Sequence, residues 1–127
     1  MEIPSYLWNI ARVNRGAITL IPKQEFLDWL ASEFHWKDQS IEDFKRSFPG
    51  NTYLFPEFGS DIFDNGYDYV LFNFENLFEA EMKQWNLPKS RYPKLYFDTF
   101  ESFFEIHVGV HVVDVVDARL LKINFED

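Results

Sequence analysis

There is no cysteine in this 127-residue chain, which excludes a disulfide scaffold, thiolate-ligated zinc and a cysteine nucleophile. Glycine is scarce: five residues, too scattered for a Walker loop or a dinucleotide fingerprint. No apolar run approaches the ~18 residues of a membrane helix. Met1 to Ile10 lacks the basic start and long apolar stretch of a secretory signal, so the expected location is the cytoplasm. Positive charge is also short, with 12 Lys and Arg against 21 Asp and Glu and a net charge of −9. That balance argues against direct nucleic-acid binding and against a membrane-surface protein, because both need a basic field to meet phosphate.

Aromatic residues are abundant instead: 15 Phe, 6 Tyr and 4 Trp make up 20% of the chain. With 46% hydrophobic and 26% charged residues the composition is that of a folded protein, and the length suits a single domain over residues 1–127.

Periodicity outlines the elements. Tyr6 to Val13 puts Leu7, Ile10 and Ala11 on one helical face, ended by Asn14 and Gly16. Ala17 to Ile21, bounded by Gly16 and Pro22, suits a buried strand. Pro22 fits the first turn of a helix over 23–35, where Phe26, Leu27, Leu30 and Phe34 share a face. Ser40 with Asp43 resembles a capping box opening a short helix to about Ser47, and Pro49-Gly50 reads as a turn. Thr52 to Phe55 predicts a strand, Asn65-Gly66 a tight turn, and Tyr67 to Phe74 an interior strand. Glu75 to Leu87 follows as a helix stopped by Pro88, then Lys94 to Phe97 as a weak extended piece.

Alternation of Phe104, Ile106, Val108, Val110 and Val112 predicts a half-buried strand. Leu121, Ile123 and Phe125 repeat that pattern after a turn near Asp114 to Ala118, as a C-terminal hairpin. The segments Phe74 to Glu79 and Phe100 to Glu105 resemble each other over six residues. That likeness, with the cap-like pair Asp98 and Glu101, suggests that the later one begins as helix. The expected class is α+β in two layers: an antiparallel sheet with a C-terminal hairpin, packed by three or four helices.

Charge is segregated. From Asn51 to Met82 there is no Lys or Arg, against seven acids: Glu57, Asp61, Asp64, Asp68, Glu75, Glu79 and Glu81. The same window holds nine aromatic residues, whereas Lys83 to Lys94 has four bases and no acid. Carboxylates without local counter-ions produce a coherent negative field that speeds encounter with a basic partner.

Sites for chemistry are few. Glu105 and His107 share a strand face with His111, but His107 and His111 lie roughly 13 Å apart at strand rise, too far to share one ion. A centre completed by Asp98 or Asp114 is the weaker reading beside an exposed sheet face. Asp61 to Asp68 has the outline of a calcium loop, but Phe63 stands at its third position and Phe72 at its twelfth, and neither ligates an ion. Ser60 follows Gly59 without the second glycine of a nucleophile elbow. No catalytic residue, metal or cofactor is expected, and the chain reads as a non-enzyme.

In composition alone the chain resembles small bacterial immunity and antitoxin proteins, which are compact, acidic and free of cofactor motifs. That resemblance implies an inhibitor that neutralises a basic protein such as a nuclease toxin. Asp61, Asp64, Tyr67, Asp68, Glu75 and Glu79 are the expected contacts with that partner. Two other readings stay open: a small-ligand protein or enzyme whose pocket is walled by Trp8, Trp29, Tyr69 or Phe72, and an acidic mimic of DNA. The oligomeric state is open.

Overall fold

The computed structural model describes residues 5, 8–37, 39–56, 66–109, 112–116 and 120–123, and only the backbone at Trp8 and Asn9. Two strands open the chain, β1 (Trp8–Arg12) and β2 (Arg15–Pro22). Helices α1 (Gln24–Phe34) and α2 (Ile41–Ser47) follow, then strand β3 (Asn51–Pro56). The long helix α3 (Gly66–Lys83) and the short α4 (Phe97–Phe103) come next, and β4 (Phe104–Gly109) and β5 (Val113–Val116) complete the order. The class is α+β, as expected, with two antiparallel sheets in the orders β3-β2-β4 and β1-β5.

The two sheets continue one another. β2 pairs with β4 up to Ala17 and Gly109, and β1 pairs with β5 from Arg12 and Val113. Between the Ala17–Gly109 pair and the Arg12–Val113 pair the register differs by one residue. Val13 N–H donates to the Val112 carbonyl at 2.8 Å between the two sheets. The register slips again between Trp8 and Ala11.

Helices cover one face of the three-stranded sheet. β2 alternates strictly, with Gly16, Ile18, Leu20 and Pro22 buried, as its central position requires. Ile18 and Leu20 share one buried cluster with Phe26, Leu27 and Leu30 of α1, Phe78 and Met82 of α3, and Phe100, Phe103 and Phe104 around the α4–β4 junction. The other sheet face carries Thr19 and Thr52, bonded through their hydroxyls at 2.8 Å, with Leu54, Glu105 and His107 exposed.

Several expectations hold. Ser40 accepts from the Asp43 N–H and caps α2, His35 ends α1 with φ 55°, and Phe97–Phe103 is helical. Gly50 turns into β3 with φ 134°, and an added Cβ there would lie 2.7 Å from the Leu20 carbonyl oxygen.

Others are corrected. The helix expected over Tyr6 to Val13 is corrected: Trp8–Arg12 is a strand whose backbone is satisfied by pairing with β5. Ile10 and Ala11 are exposed rather than packed on a core, and Tyr6 and Leu7 lie outside the described residues. Pro22 ends β2 opposite Phe104 rather than opening α1, whose N-cap is Lys23. Tyr67 to Phe74 is not a strand but the first half of α3. Positions 66, 69, 70, 77, 78, 81 and 82 are buried, and 73 and 74 half-buried, which is a continuous helical repeat. Tertiary burial on that period outweighs the strand preference of Tyr, Val and Phe.

The helix ends at Lys83, before Pro88, and Asn86 takes a left-handed φ of 56°. Asp98 lies in the first turn of α4 and does not cap it. Asp114 belongs to β5, which pairs with β1, and Leu120 to Ile123 are irregular and exposed. Asn65, Val110 and Phe125 lie outside the described residues.

Candidate functional site

Helix α3 carries a different chemistry on each side. Asp68, Phe72, Glu75 and Glu79 recur at i, i+4, i+7 and i+11, which places them in one row along the helix. Phe72 is 75% exposed, Glu75 is exposed, and Asp68 and Glu79 are half-buried. Tyr67, in the first turn, is exposed and sets its ring edge-on to Phe97 at 6.4 Å. Asp68 stands where the helix dipole favours a carboxylate. Among the described residues no ion pair joins Glu75 or Glu79 to Lys or Arg.

Of the six residues expected to meet a partner, Tyr67, Asp68, Glu75 and Glu79 thus come together on one helix, while Asp61 and Asp64 lie outside the described residues. A strand over Tyr67 to Phe74 would have broken this row. The helix makes it, and adds Phe72, which the strand reading had assigned to an interior position.

The opposite side of α3 holds a buried acid. Glu81 is 4% exposed and occupies a core position of the helical repeat. Its Oε2 accepts from Asn51 Nδ2 at 2.7 Å, Tyr53 Oη at 2.7 Å and Gln84 Nε2 at 3.2 Å. β3 supplies the first two donors, and the turn after α3 the third. Burial raises the Glu81 pKa above the ordinary carboxyl value, and the three donors oppose that rise. Tyr53 is pushed upward by its own burial and by the neighbouring carboxylate, which keeps the phenol protonated as a donor.

Glu81, Asn51 and Gln84 line a cavity of about 120 Å³, facing Phe26, Phe44, Phe48 and Trp85. Trp85 packs with Phe48 at 4.8 Å and with Phe44 at 6.1 Å between ring centroids. Of the residues expected to wall a pocket, Trp29, Tyr69 and Phe72 do not line it. Trp29 stacks on Phe26, Tyr69 is buried in the core, Phe72 faces outward, and the Trp8 side chain lies outside the described residues. Sequence reasoning counted Glu81 among the seven acids and missed its role. The available signal was its position: a carboxylate in a row otherwise made of Leu77, Phe78 and Met82.

Glu105 and His107 do meet, at 3.4 Å on the exposed sheet face, and His111 lies outside the described residues. No group of three metal-ligating side chains occurs among the described residues. In the basic segment after α3, Arg91 is committed to α1, bonding both the carboxylate and the carbonyl of Glu33 at 2.8 Å. No helix among the described residues is long and apolar enough to cross a membrane. Comparison with protein-family models, with curated proteins and with solved structures finds no match for the chain.

Proposed function

We propose that this protein is an acidic protein-binding inhibitor, of the kind represented by immunity proteins and antitoxins, that docks a basic protein through the outer face of α3. The observation that carries the reading is the single row of Asp68, Phe72, Glu75 and Glu79 beside Tyr67. Acids in such a row steer a cationic surface into register, and an exposed ring at its centre supplies the apolar anchor that charge alone lacks. The cytoplasm, where a toxin would have to be neutralised before release, fits this role, and the row calls for no catalytic chemistry.

The test is retention of a basic protein on the immobilised chain from the cells that make it. Wild type retains that protein at low salt and releases it as salt rises, because the encounter is electrostatic. The double variant Glu75→Lys/Glu79→Lys loses at least tenfold in affinity, whereas Glu42→Lys/Glu101→Lys, with the same charge change on α2 and α4, loses little. Equal losses in the two variants would reduce the effect to net charge and remove the proposed face.

A further inference from the structure

We infer that the cavity beside Glu81 is a binding site for a primary ammonium group, with the Glu81 carboxylate as its counter-ion and Phe44, Phe48 and Trp85 as its aromatic wall. The inference does not rest on the outer face of α3.

Hydrogen-bond accounting fixes the polarity of the site. Asn51 Nδ2 donates twice, to Glu81 Oε2 and to Gln84 Oε1. Gln84 Nε2 donates to the Ala80 carbonyl and to Glu81 Oε2, and Tyr53 donates its one hydroxyl proton to the same Oε2. Flipping the Asn51 amide would set oxygen against two acceptor oxygens, so its orientation is determined by the network. Every polar hydrogen of Asn51, Gln84 and Tyr53 is spent. Among the described residues, the atoms left without a donor are acceptors, Glu81 Oε1 and Asn51 Oδ1. Such a site accepts a ligand that brings N–H groups and repels an anion.

Charge points the same way. No Lys, Arg or His lines the cavity, and among the described residues Glu81 has no ion pair. An isolated buried carboxylate is costly unless a cation or a proton neutralises it. Aromatic faces attract a cation within about 6 Å, and Phe44, Phe48 and Trp85 form a contiguous set of them. One carboxylate is far from the six to eight oxygens that calcium takes. Size sets the upper limit: a 150 Å³ cavity admits benzene, so 120 Å³ admits about four or five heavy atoms. That is the end of a lysine side chain or a short alkylamine, and it is too small for a nucleotide or a sugar.

Titration of the 15N-labelled protein with n-propylammonium chloride, against sodium chloride at equal ionic strength, tests the site. The expected result is saturable shifts at the Asn51 and Gln84 side-chain amides and the Trp85 indole, with affinity at least tenfold above that of 1-propanol. Glu81→Gln removes at least tenfold of that affinity. In wild type the binding weakens on acidification as the carboxyl takes up a proton. Among the described residues Tyr53 is the only other titratable group facing Glu81, and it stays neutral throughout. Nα-acetyl-lysine methylamide distinguishes the sources: a lysine side chain if it binds as well as the amine, a free amine if only n-propylammonium binds. Absence of shifts, equal shifts with 1-propanol, or unchanged affinity in Glu81→Gln would overturn the inference. Should that variant not fold, pH-independent binding to wild type from about pH 4 to about pH 8 would do so.

Discussion

Glu79 and Glu81 are the same side chain two residues apart on one helix, about 200° around its axis, and they have opposite physics. Glu79 stands half-buried in the outward row with Asp68, Phe72 and Glu75. Glu81 stands in the inward row with Leu77, Phe78 and Met82, enclosed by Asn51, Tyr53 and Gln84. The outward acids contribute a field that extends from the molecule. The inward acid contributes a local demand for hydrogen, met by three donors and still leaving the carboxyl harder to ionise.

The sharpest way to break the inward row is Phe78→Ala. Phe78 is fully buried, with ring centroids 5.6 Å from Phe100, 5.7 Å from Phe103 and 6.2 Å from Phe104. Truncation opens a cavity where α3, α4 and β4 meet and should cost about 3–5 kcal/mol. Against a total of about 5–15 kcal/mol this leaves a marginal or unfolded protein, read as a large drop in the urea midpoint.

Smaller, and more specific to the comparison, is the pH dependence assigned to Glu81. Its folded-state pKa is raised above the ordinary 4.5, so the folded protein holds this proton more tightly than the unfolded chain. Glu81 therefore contributes stability that is fully present below the unfolded value and is lost as pH rises through the folded value. Glu81→Gln carries no such proton. The stability of wild type relative to this variant should decline as pH climbs from about 4.5, then level off above the raised pKa. Melting temperatures of both proteins across that range measure it. A difference that does not change with pH would mean the carboxyl ionises alike in both states.

The two like segments explain how much of this was legible. Phe74 to Glu79 and Phe100 to Glu105 both place an aromatic, a large apolar residue three later and an aromatic four later toward the core, and their rings pack on one another. Helical spacing was therefore readable in each. What differs is the exit: α3 continues past Phe78, whereas the chain at Phe104 becomes extended opposite Pro22. That choice is made by a strand eighty residues away in the sequence, and no local pattern contains it. The N-terminal strand failed to be read for the same reason, since its partner is β5. The outward row was half legible, because its acids were visible but the strand assigned to Tyr67 to Phe74 hid their alignment. Glu81 was hidden by number, one acid among 21, until helical phase gave it an inward address.

The smallest effect on stability is expected at Phe72. Its ring is 75% exposed, so removing it takes little apolar area out of the fold, and Phe72→Ala should change stability by no more than about 0.5 kcal/mol. On the proposed reading, the ring is nonetheless the anchor that meets a basic partner. Phe72→Ala should therefore lower affinity for the basic partner by tenfold or more while leaving the salt dependence of binding unchanged, because the ring carries no charge. Glu75→Lys/Glu79→Lys should lower affinity as well, but by flattening the salt dependence itself. Measuring association at several ionic strengths separates the two. A Phe72→Ala protein that binds like wild type would leave the outer row as charge without an anchor.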